Sequence, residues 1–255
     1  MAAMLFCSHL SAQGTKHLKL HFINNVGDAN LHLDTTAYQN KLGQSYTVTN
    51  FKYYISNIKL TDDNDKVFEN KNGYYLISEA DSASHYVELE DIPPGNYAKI
   101  SFTIGVDSLH NCSGAQSGAL DPINGMFWTW NTGYIFMKLE GKSPDSKSPG
   151  HIFEYHIGGY KEPSNCIRTV TLEIFKPKNK AVVHTDNDML HIAGTTPIEN
   201  SKTVSIGIIA DISMILSSHT VIDFSKLSSV TDFHNVKTIA ENYKDMFYVT
   251  RLVQQ

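Results

Sequence analysis

The chain has 255 residues, of which 41% are apolar, and a net charge of −5. That is enough apolar material for a substantial core, in one large β domain or two small ones. The lack of a basic block argues against nucleic acid as a partner, and no apolar run reaches membrane-spanning length.

At the N-terminus, Ala2 to Leu10 form a short apolar stretch, and Ser11-Ala12-Gln13 offer a small-residue cleavage site before Gly14. This pattern is that of the end of a signal peptide, although no Lys or Arg precedes it. Lipidation at Cys7 is the weaker reading, because Phe6 is bulky for the preceding position. Residues 1–13 are read as a signal-peptide remnant and 14–255 as one domain, periplasmic or secreted. Loss of Cys7 leaves Cys112 and Cys166. An even pair in an oxidising compartment is most simply a disulfide, with two free thiols or a thiolate metal site as alternatives.

Hydropathy then alternates at period two along most of the chain. In 17–24, Leu18, Leu20 and Phe22 face one way and His17, Lys19 and His21 the other. Runs at 46–60 and 74–77 follow. In 97–105, Ala98, Ile100, Phe102 and Ile104 point inward. Further runs cover 134–140, 152–157, 167–175 and 204–212. Turn residues separate them, among them Asp62-Asp63-Asn64-Asp65, Pro93-Pro94-Gly95-Asn96 and Ser148-Pro149-Gly150. Many short strands with turns between them predict a mainly β fold, an antiparallel β-sandwich. From Val236 the apolar positions Val236, Ile239, Ala240, Tyr243, Met246 and Phe247 take helical spacing, with Asn235 as a cap. One C-terminal helix and a short tail are expected.

The segment 107–125 carries three glycines, Cys112 and the turn Asp121-Pro122. A loop of this length in a compact domain is functional or pinned, and Cys112 could supply the pin. Directly after it come Trp128 and Trp130, the only two tryptophans. On an extended strand they share a face. They suit core packing, or a platform on which sugars stack, which would make the chain a carbohydrate- or surface-binding module.

No serine-nucleophile elbow, phosphate loop, dinucleotide fingerprint or zinc-protease spacing occurs among the residues. The chain therefore reads as a binding protein and not as an enzyme. His151 and His156 are five apart, so on one strand they point to opposite faces. His184 and His191 flank a polar turn, and His234 precedes the helix.

The run from Gly125 to Gly141, GMFWTWNTGYIFMKLEG, resembles the signature of the MbnP-like copper-binding family, most closely its Bacteroidetes-type members. Ordered matches extend over residues 17–250: Phe51-Lys52-Tyr53-Tyr54-Ile55-Ser56-Asn57-Ile58, Gly105-Val106-Asp107-Ser108, His156-Ile157-Gly158-Gly159, Ala240-Glu241-Asn242 and Met246-Phe247. The resemblance implies an exported β-sandwich that binds copper through histidines near a tryptophan, which a dihaem partner of the MbnH type oxidises to kynurenine. Trp128 and Trp130 are both candidates for that modification. His156, in the matching His-Ile-Gly motif, is the first ligand candidate, followed by His151, His234 and the soft donor Met126. A hairpin turning within 142–149 would lay Tyr155 and His156 beside Ile135 and Phe136. No histidine lies between His110 and His151, so ligands must reach the tryptophans from other strands.

Overall fold

The computed structural model describes residues 16–71, 73–128, 133–174, 196–198, 204–232 and 234–254. The expected signal segment, His184 and His191, and Trp130 lie outside them. Ten main strands form two sheets: β1 (Lys16–Val26), β2 (Ser45–Asp62), β3 (Tyr74–Ser78), β4 (Tyr86–Ile92), β5 (Gly95–Ile104), β6 (Gly133–Lys142), β7 (Ile152–Gly158), β8 (Arg168–Glu173), β9 (Val204–Asp211) and β10 (Phe247–Gln254). The first sheet runs β10-β9-β1-β4, and the second runs β8-β5-β2-β6-β7 with β3 also on β2. The expected mainly β sandwich is thus present.

The alternation in β1 places Leu18, Leu20 and Phe22 in the core. There Phe22 meets Phe102 of β5 edge-on at 5.9 Å and Tyr53 of β2 at 6.4 Å, so its ring joins the two sheets. Phe247 closes the cluster against Phe102 at 5.0 Å. Edge-to-face contacts of this kind add to the large apolar area that each ring buries.

Four features depart from the simple pattern. β1 and β9 pair in parallel, Leu18 opposite Val204 and Asn25 opposite Asp211. β9 lies between β1 and β10 and is buried almost throughout, as central parallel strands are. Strand β2 does not alternate continuously. Tyr46 and Val48 are buried, then Phe51 and Tyr53, because the pairing with β6 shifts between Glu140 and Gly141. That shift keeps Asn50 and Lys52 on the outer face. In β5, Tyr97 is buried and Ala98 only half-buried, where pairing with β2 shifts again near Asp62.

The C-terminal helix is α3, and two shorter helices precede it: α1 (Ser108–Cys112), α2 (Ile212–Ile215) and α3 (Val236–Tyr243). Asp107 and Asp211 cap α1 and α2 through their carboxylates. At the start of α3, Asn235 adopts a left-handed conformation and its side chain makes no capping bond, contrary to expectation. Met246 and Phe247 fall beyond the helix, and the expected tail is the edge strand β10, paired with β9. Asn242 anchors α3: its Nδ2 donates to Ile215 O and Thr220 O, and its Oδ1 accepts from the His219 and Thr220 amides. Beside it, Glu241 accepts two bonds from the Arg168 guanidinium.

Candidate metal site

The β6–β7 hairpin defines the site. Its register sets Lys138 opposite His156, Glu140 opposite Glu154, and Ile135 opposite Gly158. His156 therefore lies nearer the turn than the sequence suggested, beside Lys138 and not beside Phe136. The irregularity between Ile135 and Met137 accounts for part of the offset. On the other side of β6, Lys138 faces Lys52 and Glu140 faces Asn50. Two rows thus cross the outer face of three strands, Lys52-Lys138-His156 and Asn50-Glu140-Glu154.

Diagonal contact joins the rows, as same-face neighbours two residues apart allow. His156 Nε2 lies 2.6 Å from Glu140 Oε1, while Asn50 Nδ2 donates to Glu140 Oε2 at 2.9 Å. Donor atoms of Glu140, Glu154 and His156 all lie within 4.8 Å of one another. The His156 bond, backed by Asn50, holds the Glu140 carboxyl down at about 2, against the partial burial that opposes it. Burial also lowers Lys138, despite Glu140. Its ammonium reaches Gly125 O at 2.7 Å, and that of Lys52 reaches Asn124 O at 3.2 Å. Both lysines are thereby drawn toward the loop that precedes the tryptophans.

Trp128 belongs to a two-residue strand, Phe127–Trp128, paired with β6 through Gly133. It is 6% exposed. Its indole rests on Gly158, where a Cβ would come within 2.8 Å of the six-membered ring and 2.5 Å of Tyr134 O. Gly158 is two residues from His156 on the same face, about 7 Å along the strand. Trp128 also borders a cleft of about 310 Å³ lined by Asn111, Tyr134, Tyr160 and Ser164. A buried indole offers no open face for sugar stacking, so at Trp128 the core reading prevails over the platform.

The remaining candidates are placed apart. His151 is exposed at the hairpin turn, its Nδ1 3.0 Å from Ser146 O. It is five residues from His156, about 17 Å of strand. His234 is exposed beside Asp232, outside the carboxylate cluster. Met126 is fully buried in the core, and packing accounts for it.

The disulfide is not formed. Cys112 is exposed and its thiol contacts Tyr160 OH at 3.3 Å, whereas Cys166 is buried and contacts Ser164 O at 3.4 Å. Burial pushes the Cys166 thiol up to about 12. The loop 107–125 is pinned instead by tyrosines from the strands beneath: Tyr54 OH donates to Ala119 O at 2.9 Å and Tyr134 OH to Leu120 O at 2.7 Å. Asp107 adds to this by accepting from Tyr74 OH while it caps α1.

Sequence reasoning singled out His156 and did not read Glu140 or Glu154, whose carboxylates the structure brings beside it. The signal for both was present. Glu140 sits two positions after Lys138 and Glu154 two before His156, so each shares its strand's outer face.

The sequence model of the MbnP family matches residues 15–238. Among solved structures, MbnP from Methylosinus trichosporium is similar at 13% identity and a TM-score of 0.45, over 82% of this chain and 80% of that one. No curated protein matches the chain.

Proposed function

This chain belongs to the MbnP family, and on that premise we propose that it is an exported copper-binding protein of the periplasm or the extracellular space, and not a catalyst. Copper is its cargo, taken up at the outer face of the β6–β7 hairpin with His156 as the central ligand. One observation carries this reading: an imidazole stands among carboxylates, one step along the strand from the glycine that seats Trp128. Imidazole is a good copper ligand, and the neighbouring carboxylates can orient it or join it on the metal.

In the same reading, Trp128 or Trp130 is oxidised to kynurenine by a dihaem partner of the MbnH type, and the new aromatic amine serves as a further ligand beside the histidine. The cleft that Trp128 helps to line supports this part of the reading, as a place where a partner can approach the otherwise buried indole.

Two measurements test the proposal. Copper titration of the full chain should give one bound ion, lost or much weakened in His156→Ala. Unchanged affinity in that variant removes His156 from the site. Peptide mass spectrometry of residues 125–138 from protein made in its native host should show kynurenine at Trp128 or Trp130. Two intact tryptophans would reject the modification and its dihaem partner, and copper binding would then rest on the side chains around His156.

A further inference from the structure

We propose that Asn111 is a positioning residue that fixes the Trp128 indole at the cleft for its oxidation. This rests on the kynurenine reading above, commits it to Trp128, and does not depend on which side chains hold the metal.

The argument begins at the first residues of β6. Gly133 pairs with Trp128, and the next amide, Tyr134 N, donates to Asn111 Oδ1 at 2.8 Å. A side chain therefore holds the strand at this point. The Nδ2 group of Asn111 donates in turn to Val106 O at 2.5 Å and to Asp107 O at 2.9 Å. These bonds tie α1 both to the chain leaving β5 and to β6. Asn111 is 2% exposed, so solvent cannot readily replace them, and their loss would leave buried backbone groups unpaired.

Tyr134 passes the constraint on to the indole. Its carbonyl and the six-membered ring of Trp128 both crowd the place of a Gly158 Cβ. Its hydroxyl is held by Leu120 O, and its ring meets Phe127, the neighbour of Trp128, edge-on at 5.0 Å. Asn111 also lines the cleft that Trp128 borders. The benzo edge of the indole is thus anchored, while the C2–C3 bond belongs to the ring at its other end. Oxidation to kynurenine breaks that bond and adds two oxygen atoms, taken from two waters as four electrons and four protons leave toward the dihaem partner. A third water then releases the formyl carbon as formate. These steps need the indole held in place relative to the cleft by which water and partner approach. A displacement of ~1 Å can cost on the order of a hundredfold in rate.

The experiment compares Asn111→Leu, which keeps the volume and removes the bonds, with Phe22→Leu, which loosens the core between the sheets. Each full chain is made in the native host, and kynurenine is counted by peptide mass spectrometry in the folded fraction. Wild type and Phe22→Leu should be modified at Trp128, and Asn111→Leu less so by on the order of tenfold or more. Asn111→Asp keeps the acceptor for Tyr134 N and should recover most of the yield. In a Trp130→Phe background, Trp128 emission should shift to the red, and acrylamide should quench it more, in Asn111→Leu alone. Full modification in Asn111→Leu, or an equal loss in Phe22→Leu, overturns the positioning role and leaves the kynurenine reading standing. Kynurenine confined to Trp130 does the same. An unmodified wild type overturns both.

Discussion

His156 Nε2 and Glu140 Oε1 lie 2.6 Å apart across the β6–β7 hairpin, as diagonal neighbours on its outer face. The contact joins the cationic row of the sheet to its acidic row. It also makes the metal-free protein sensitive to acid at one identifiable carboxyl group.

Glu140 is lowered from its ordinary 4.5 to about 2, chiefly by the His156 hydrogen bond. A depressed carboxyl stabilises the fold above the unfolded value, and that stability is lost as pH falls from about 4.5 toward 2. Its side chain is 27% exposed, so solvent screening reduces the effect to about 1–2 kcal/mol. Urea midpoints measured at pH 7, 4.5 and 3 should fall more steeply for wild type than for Glu140→Gln. Parallel curves would remove the pair as a source of acid sensitivity.

His156→Ala should destabilise the metal-free protein by about 1–2 kcal/mol, since Glu140 loses its bond and faces Glu154 with Lys138 as the remaining charge that offsets the pair. Adding Glu154→Gln should recover part of that loss. A double-mutant cycle from denaturant melts checks this, and strict additivity would mean that the two carboxylates do not interact.

Gly158→Ala should cost about 1–3 kcal/mol, because the new methyl group meets both the Trp128 ring and the Tyr134 carbonyl. The strand cannot yield without breaking its pairing with β6. Tryptophan emission should shift to the red as the indole is lifted. Unchanged emission and melting temperature would mean that the indole does not lie on this glycine.

Alkylation of the native protein should label Cys112, and Cys166 only after unfolding. Exposure of the first and burial of the second, with the raised Cys166 thiol, set that order. Peptide mapping reads both sites, and resistance of both until a reductant is added would restore the disulfide.

Alkali should unfold the protein cooperatively. Burial raises Tyr53 and Tyr243 well above 10, and Tyr46, Tyr54 and Tyr155 also rise. Each is neutral in the fold and ionises in the unfolded chain, so stability is full below about pH 10 and lost above it. Tyrosinate absorbance and unfolding should appear together, and early ionisation without unfolding would contradict this burial.

Much of the architecture was legible in the alternation. Leu18, Leu20 and Phe22 point inward as their spacing requires, and Asn242 of the Ala-Glu-Asn motif sits where a helix needs an anchor. The motif glycine Gly158 has a packing reason of its own, since any side chain there would collide with the Trp128 indole. The short helices were also signalled, by aspartates at their caps, but a five-residue helix has little periodicity to read.

The sequence by itself determined which face of each strand is buried, because side-chain direction follows from strand geometry at period two. It also marked the family and His156. Only the tertiary structure decided which residues stand beside His156. Pairing register depends on where bulges fall and how turns close, and a shift of one residue exchanges every neighbour across the hairpin. The same holds for the cysteines, whose burial and partners are set by packing between distant segments. Glu140, Glu154 and His156 are ordinary surface residues in one dimension, and the β6–β7 register brings them together.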